Sequence, residues 1–255
     1  MSSVPALLKR QTAQKRIFCA EMEKIMNIYG LQKLTLLDYP GKVACTVFTG
    51  GCNFRCPFCH NASLVLDLAS TGKIETEEFF SFLQKRKGVL DGVCITGGEP
   101  LLHDSIAEWI IKIKEKGFAV KLDTNGSFPD KLKALVREGL LDYVAMDIKN
   151  SKAKYAETIG IPNFDLSGVE ESVRFLLTDA VPYEFRTTVT REFHTKESLL
   201  EAARWIAGCK RYFLQSFSDS GDLISAHVTG YTKKEMENLL NDVRTVIPEA
   251  ELRGI

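Results

Sequence analysis

Three closely spaced cysteines in this chain could bind iron. Cys52, Cys56 and Cys59 follow the spacing C-x3-C-x2-C within the sequence GGCNFRCPFCHN. A cuboidal [4Fe–4S] cluster normally takes four cysteine thiolates. Three cysteines would therefore leave one iron with an open position for a ligand that does not come from the protein.

Zinc and disulfide bonds are the alternative uses of these thiols. Structural zinc normally has four closed ligands, and His60, directly next to Cys59, is badly placed to complete a tetrahedron. The chain has seven cysteines, an odd number, and shows no secretory signal, so a disulfide framework fits poorly. The other cysteines are scattered, which predicts one cluster only: Cys19, Cys45, Cys94 and Cys209.

A glycine-rich motif follows the next predicted strand. The sequence DGVCITGGEP places Gly97, Gly98 and Glu99 directly after a short apolar run. Glycines let a backbone approach a ligand closely, and the Glu99 carboxylate can accept a hydrogen bond from an ammonium group. By itself such a motif is equally typical of a plain loop, but its place after the cysteine segment indicates a binding site.

Composition predicts a single-domain cytoplasmic enzyme. The chain has 255 residues, 45% of them hydrophobic, with 33 basic and 33 acidic side chains. This length suits one α/β barrel, and the balanced charge does not favour a nucleic-acid surface. No apolar run reaches the ~18 residues of a membrane span. Residues 1–25 are expected to form a non-catalytic extension, and residues 26–255 the folded domain.

The remaining pattern alternates strands and helices. Six strands are predicted: Val43–Thr49, Val93–Thr96, Phe118–Asp123, Tyr143–Ile148, Tyr183–Val189 and Tyr212–Phe217. Five helices are predicted between them: Thr76–Lys85, Ser105–Lys116, Pro129–Glu138, Ser167–Thr178 and Lys196–Ala207. Alternation of this kind favours a parallel sheet with right-handed crossovers.

Polar residues follow the predicted strands, where the catalytic groups of βα barrels gather. Asp123 and Asp147 could bind a ribose or a cation, or could cap the next helix. Lys149 could neutralise a ligand carboxylate or be merely solvated. His194, after the fifth strand, could face the site but is expected on the surface.

The cysteine spacing, with Phe58 before the third cysteine, resembles the radical S-adenosylmethionine (SAM) superfamily, as does the GGEP motif. The resemblance implies a partial (β/α)6 TIM-like barrel, with SAM on the open iron and its methionine end at the glycine motif. It also implies a set of cofactor-binding residues: Phe58, His60, Gly97, Gly98, Glu99, Asp123, Asn125, Asp147, Ile148 and Lys149.

A narrower resemblance comes from the combination of LTLLDYPGKVACTVFTGGCNFRCPFCHN, ITGGEP, LDTNG, MDIKN and FRTTV. It is similar to the glycyl-radical-enzyme activases, in particular those of anaerobic ribonucleoside-triphosphate reductase. In related pyruvate formate-lyase activases the positions matching Asp123, Thr124 and Asp147 hold a monovalent cation. Those activases often end the sixth strand with Pro-Tyr-His, whereas this chain has Gln215-Ser216-Phe217.

This resemblance implies reductive cleavage of SAM, with an electron from an external donor such as flavodoxin or ferredoxin, and a glycyl radical formed on a partner enzyme. Anaerobic ribonucleotide reductase is the expected partner. The alternatives are activation of a pyruvate formate-lyase type enzyme, radical chemistry on a small molecule, or an electron-transfer or sensor protein that does not turn over SAM. Residues 64–73 and 151–164 are expected to border the open rim where a partner docks, or to be solvated loops.

Replacing any one of Cys52, Cys56 or Cys59 by alanine is expected to abolish cluster binding and SAM cleavage, because the sequence offers no substitute ligand nearby. Iron content and reductive SAM cleavage measure this. A Cys56→Ala protein with near-normal iron and cleavage would show that the site is assigned to the wrong residues.

Overall fold

The computed structural model describes residues 26–254, which contain one eight-stranded sheet. The strands are β1 (Ile28–Thr35), β2 (Ala44–Thr49), β3 (Gly92–Gly97), β4 (Ala119–Thr124), β5 (Tyr143–Asp147), β6 (Tyr183–Val189), β7 (Tyr212–Ser216) and β8 (Glu251–Arg253). The proposed extension at residues 1–25, with Cys19, lies outside the described residues.

Helices follow most of the strands. They are α1 (Ala62–Leu66), α2 (Thr76–Lys85), α3 (Ile106–Glu115), α4 (Pro129–Arg137), α5 (Tyr155–Thr158), α6 (Ser167–Leu176), α7 (Lys196–Trp205) and α8 (Lys233–Arg244). Short 3-10 turns cover Pro100–Leu102 and Lys152–Lys154. Among residues 26–254, no helix combines the length and the apolar character that crossing a membrane requires.

The sheet is open and follows chain order. Strands β2 to β8 pair in parallel with their sequence neighbours, whereas β1 pairs antiparallel with β2. The predicted partial barrel is thus confirmed, with its six predicted strands as β2 to β7. The five predicted helices are α2, α3, α4, α6 and α7, and their ends agree to within two residues.

The edge strands and α8 were not predicted. Strand β8 has only three residues, too few for a periodic pattern, and is fixed by tertiary contacts. Arg253 in β8 donates to both carboxylate oxygens of the fully buried Glu184 in β6, at 2.8 and 3.2 Å. Helix α8 begins with a capping box formed by Thr232 and Glu235, a signal that the sequence does contain.

The side chains of β4 alternate between two environments. In β4, Val120 and Leu122 are fully buried and belong to the apolar core. The intervening Lys121 and Asp123 form an ion pair of 2.6 Å instead. Because neighbouring strand residues point to opposite faces, one face of β4 packs in the apolar core and the other carries charge.

The end of β3 packs on the loop that follows β2 with no room for a side chain. Gly97 has φ +109°, and a Cβ there would lie 2.4 Å from the Thr49 backbone. A Cβ on Gly98 would lie 1.9 Å from the Gly51 carbonyl oxygen. Two backbone hydrogen bonds of 2.8 Å close the contact, Gly98 N–H to Thr49 and Glu99 N–H to Gly51.

This contact changes the expected effect of substituting Gly98. From the sequence, Gly98→Val should weaken SAM binding while leaving the cluster assembled, because the β-branched side chain would occupy ligand space. In the structure even alanine meets the backbone of the residue before Cys52. The substitution must therefore displace the cysteine segment, and an effect on SAM alone is no longer expected.

Gly98→Ala is expected to lower both the iron content after reconstitution and the free energy of unfolding, the latter by on the order of 1–3 kcal/mol as in other overpacked sites. Thermal unfolding of cluster-free protein and iron analysis test this. Gly72→Ala is the matched control, since a Cβ at Gly72 has no atom within 4 Å. Equal behaviour of the two variants would contradict the packing argument.

Candidate active site

The cysteine loop, residues 51–61, is held by backbone hydrogen bonds along its length. Gly51 donates to Leu64 at 2.8 Å, Arg55 to Ile159 at 2.8 Å, and the Pro57 carbonyl accepts from Ser225 at 2.9 Å. These partners lie in three separate segments of the chain. The loop is therefore fixed by the fold around it, in addition to any metal.

The three thiols are free and at least partly buried. Burial raises the pKa of Cys52 to about 11 and that of Cys56 to about 12, and also raises the pKa of Cys59. Metal ligation requires the thiolate. The loop therefore favours neutral thiols until a positively charged metal group offsets the cost of ionisation.

A cluster fits these cysteines better than a single ion. Within residues 26–254, no three His, Cys, Asp or Glu side chains are grouped closely enough to hold one metal ion. In a cuboidal cluster each cysteine binds a different iron, so the sulfurs need not converge on one point. All three cysteines nevertheless line the same cavity.

This cavity, of about 220 Å³, lies at the carboxyl ends of the parallel strands. Most of the predicted site residues line it together: Cys52, Cys56, Phe58, Cys59, His60, Gly97, Gly98, Glu99, Asp123, Thr124, Asn125, Asp147 and Lys149. Ile148 is the exception, because it is fully buried outside the lining. His60 stacks on Phe217, with ring centroids 5.3 Å apart.

Glu99 connects the ends of β3 and β4. It is 1% exposed and accepts from Leu101 N–H at 3.0 Å, Thr124 Oγ1 at 2.8 Å and Asn125 N–H at 2.7 Å. Burial raises its pKa to about 7, although these donors favour the ionised form. An approaching ammonium group would favour the carboxylate further.

Asn125 joins β4 to the cysteine loop. Its Nδ2 donates to Asn53 Oδ1 at 2.9 Å and lies 3.9 Å from Cys52 Sγ. Its Oδ1 accepts from the Ser127 backbone and hydroxyl at 2.9 and 2.6 Å. Hydrogen bonds of this kind orient metal ligands.

Asp123 and Asp147 do not cap helices. Phe128 precedes α4, and Ser151 precedes the turn after β5. Both aspartates instead bind cationic side chains. Although burial alone would raise their pKa values, Arg186 with Lys121 or Lys149 holds both below their usual range. Lys149 is in turn ion-paired to Asp147 at 2.9 Å, which raises its pKa against the effect of burial.

The expected surface position of His194 was wrong. The side chain is fully buried, with Nε2 2.8 Å from the Lys149 carbonyl oxygen and Nδ1 accepting from Thr190 N–H at 3.1 Å. Burial lowers its pKa to about 4. The neutral ring therefore donates from Nε2 and holds the Lys149 backbone.

Arg186 is the main site residue that the sequence analysis missed. It lines the cavity and contacts both aspartates. The available signal was a charged residue inside a strand that is otherwise largely buried, with the sequence YEFRTTV. Lys121 in β4 carries the same signal and is 1% exposed.

Comparison with solved structures shows the same fold at low sequence identity. Streptococcus suis SuiB bound to precursor peptide SuiA aligns with a TM-score of 0.66 and 15% identity, covering 99% of this chain and 55% of that one. A domain of a pyruvate-formate lyase-activating enzyme from Bacteroides vulgatus aligns with a TM-score of 0.52 and 14% identity, covering 64% of this chain and 99% of that one.

Sequence comparison assigns the family. The "Putative glycyl-radical enzyme activating enzyme" of Methanocaldococcus jannaschii is 32% identical over 74% of this chain and 79% of its own length. The pyruvate formate-lyase-activating enzyme of Clostridium pasteurianum is 31% identical over 49% of this chain, which spans about half (52%) of that enzyme. Residues 46–243 match the radical SAM superfamily profile. The chain thus belongs to the radical SAM superfamily, whose members use a [4Fe–4S] cluster and SAM, and within it to the family of glycyl-radical-enzyme activases.

Proposed function

We propose that this protein cleaves SAM reductively at a [4Fe–4S] cluster and generates a glycyl radical on a partner enzyme, with anaerobic ribonucleoside-triphosphate reductase as the favoured partner. One observation carries the proposal. Three cysteines, one fewer than a closed cluster needs, share a cavity with the Gly97–Gly98 backbone and Glu99. The vacant ligand position would thus face a site suited to the amino acid end of SAM.

When bound, the cluster and SAM would supply reductive cleavage of the sulfonium and hydrogen-atom abstraction. The residues of this chain bind and orient. Cys52, Cys56 and Cys59 would hold three irons, and Glu99 would accept from the SAM ammonium. Lys149 would neutralise the charge of the SAM carboxylate. It lines the cavity and pairs with one aspartate, whereas Arg186, which also lines the cavity, pairs with two.

The choice of partner rests on the family and on the end of β7. Strand β7 ends with Gln215-Ser216 and is followed by Phe217. The pyruvate formate-lyase activases often have Pro-Tyr-His at these positions. This departure favours the reductase as partner, whereas similarity to the Clostridium enzyme keeps a pyruvate formate-lyase type partner as the second candidate. Since only one cysteine triplet is present, the electron would come from an external flavodoxin or ferredoxin.

Anaerobic incubation with SAM, a reductant and a candidate partner is expected to yield 5′-deoxyadenosine and methionine, with the doublet signal of a glycyl radical on the partner. Chromatography and electron paramagnetic resonance measure these products. Cys56→Ala is the control and should yield neither. SAM cleavage with no radical on either purified candidate would leave the small-molecule alternative as the better assignment. A cluster signal that SAM does not change would instead support an electron-transfer protein.

The segments proposed to border the docking rim pack on the cysteine loop. Leu64 and Ile159 supply carbonyl groups to the loop, and Phe164 meets Phe54 with ring centroids 5.2 Å apart. Part of the first segment is α1, so it is not simply a solvated loop. In the second segment Lys152 is half-exposed, bound to Glu170 at 2.6 Å and 5.2 Å from the Trp205 ring centre.

Charge reversal at Lys152 and Lys154 is expected to reduce glycyl-radical formation on the partner, while SAM cleavage without the partner is unchanged. Lys152→Glu also breaks the ion pair with Glu170. The sharper variant therefore combines Lys152→Glu with Glu170→Lys, which keeps an ion pair between the two positions but exchanges their charges. A loss of about threefold or more in the radical yield of this swapped protein supports electrostatic docking. Full activity of the swapped protein would remove the segment from the interface.

A further inference from the structure

The guanidinium of Arg186 lies between two carboxylates of the site, those of Asp123 and Asp147. Its Nη1 donates to Asp123 Oδ2 at 3.0 Å and its Nε to Asp147 Oδ1 at 3.0 Å, while Nη2 lies 2.9 Å from the same Asp147 oxygen. All three side chains are largely buried, with Arg186 12% exposed. One cation from β6 therefore joins the ends of β4 and β5.

Each carboxylate also binds a second cation. Lys121 donates to Asp123 Oδ1 at 2.6 Å, and Lys149 donates to Asp147 Oδ2 at 2.9 Å. Every carboxylate oxygen of the two aspartates thus accepts from a cationic donor. Three positive side chains already face two negative ones.

Thr124, the third expected ligand of a monovalent cation, is also engaged. Its hydroxyl donates to Glu99 Oε1 at 2.8 Å and accepts from Gly126 N–H at 3.1 Å. A sodium or potassium ion would need these oxygens to turn toward it. It would also have to approach the positive charges of Arg186, Lys121 and Lys149, which is electrostatically unfavourable.

We propose that Arg186 takes the place of the monovalent cation in this site and that the chain binds SAM without sodium or potassium. Aspartates buried in a cavity need a positive partner. A guanidinium supplies one permanently, with several donors in a fixed planar fork. Through Asp147 it also positions Lys149, so Arg186 is a positioning residue. The inference depends on the proposed function only in taking SAM as the ligand.

The test compares potassium chloride with tetramethylammonium chloride at equal ionic strength. Two quantities are measured: the SAM dissociation constant of cluster-reconstituted protein, and the thermal unfolding midpoint of cluster-free protein. For the natural sequence, both are expected to be the same in the two salts. A potassium-dependent SAM affinity or unfolding midpoint would overturn the proposal. Failure to bind SAM in either salt would instead count against the proposed function.

Variants test whether Arg186 is the residue that makes SAM binding independent of potassium. Arg186→Gln is expected to weaken SAM binding by about tenfold in tetramethylammonium, equivalent to ~1.4 kcal/mol, with partial recovery in potassium. Arg174→Gln, at a well-exposed residue of α6, is the control and should match the natural sequence. Unchanged SAM affinity of Arg186→Gln in both salts would overturn the proposal.

Arg186→Lys keeps the charge and guards against a glutamine variant that does not fold. It should fold and remain insensitive to potassium, with SAM affinity between those of the natural and Arg186→Gln proteins, because a lysine cannot reproduce the forked contact of the guanidinium with both aspartates. If the SAM affinity of Arg186→Lys depended on potassium, the proposal that the cationic side chain replaces the ion would be contradicted.

Discussion

The site depends on a backbone contact that excludes every side chain. Strands β2 and β3 are parallel neighbours, with Thr49 paired to Gly97, so the segments that follow them leave the sheet at the same edge. The cysteine loop must then cross the turn after β3, and only glycine at positions 97 and 98 leaves room for it. The positions of the cysteines and of Glu99 are consequently fixed relative to each other before any cofactor binds.

Charged residues inside the sheet serve both stability and the site. In β6, Glu184 and Arg186 are two residues apart and so share a face, whereas the intervening Phe185 is fully buried in the apolar core. Glu184, near the amino end of β6, binds Arg253 of β8. Arg186 binds the aspartates at the rim. The cost of burying these charges is offset because each carboxylate has a cationic partner.

The sequence was sufficient for the features that depend on local pattern. The apolar runs of β2 to β7 and the periodic helices between them were predicted with close boundaries, and the cysteine and glycine motifs predicted which segments meet. Features that depend on register between strands were not accessible. Whether Asp123 faces a metal ion or Arg186 is decided by how β4 aligns with β5 and β6, which no local pattern reveals. The burial of His194 follows from the path of the chain after β6, another tertiary effect.

Lys149 connects the two parts of the site. Its side chain is bound to Asp147 and, through it, to Arg186, whereas its backbone carbonyl is held by His194. The His194 ring meets Phe58 with centroids 5.9 Å apart, and Phe58 directly precedes Cys59. Because burial keeps His194 neutral at physiological pH, its hydrogen bond to Lys149 is independent of the charge network. A displacement of β5 would thus be transmitted both to the aspartates and to the cysteine loop, so that Lys149 and the three cysteines keep a fixed relationship.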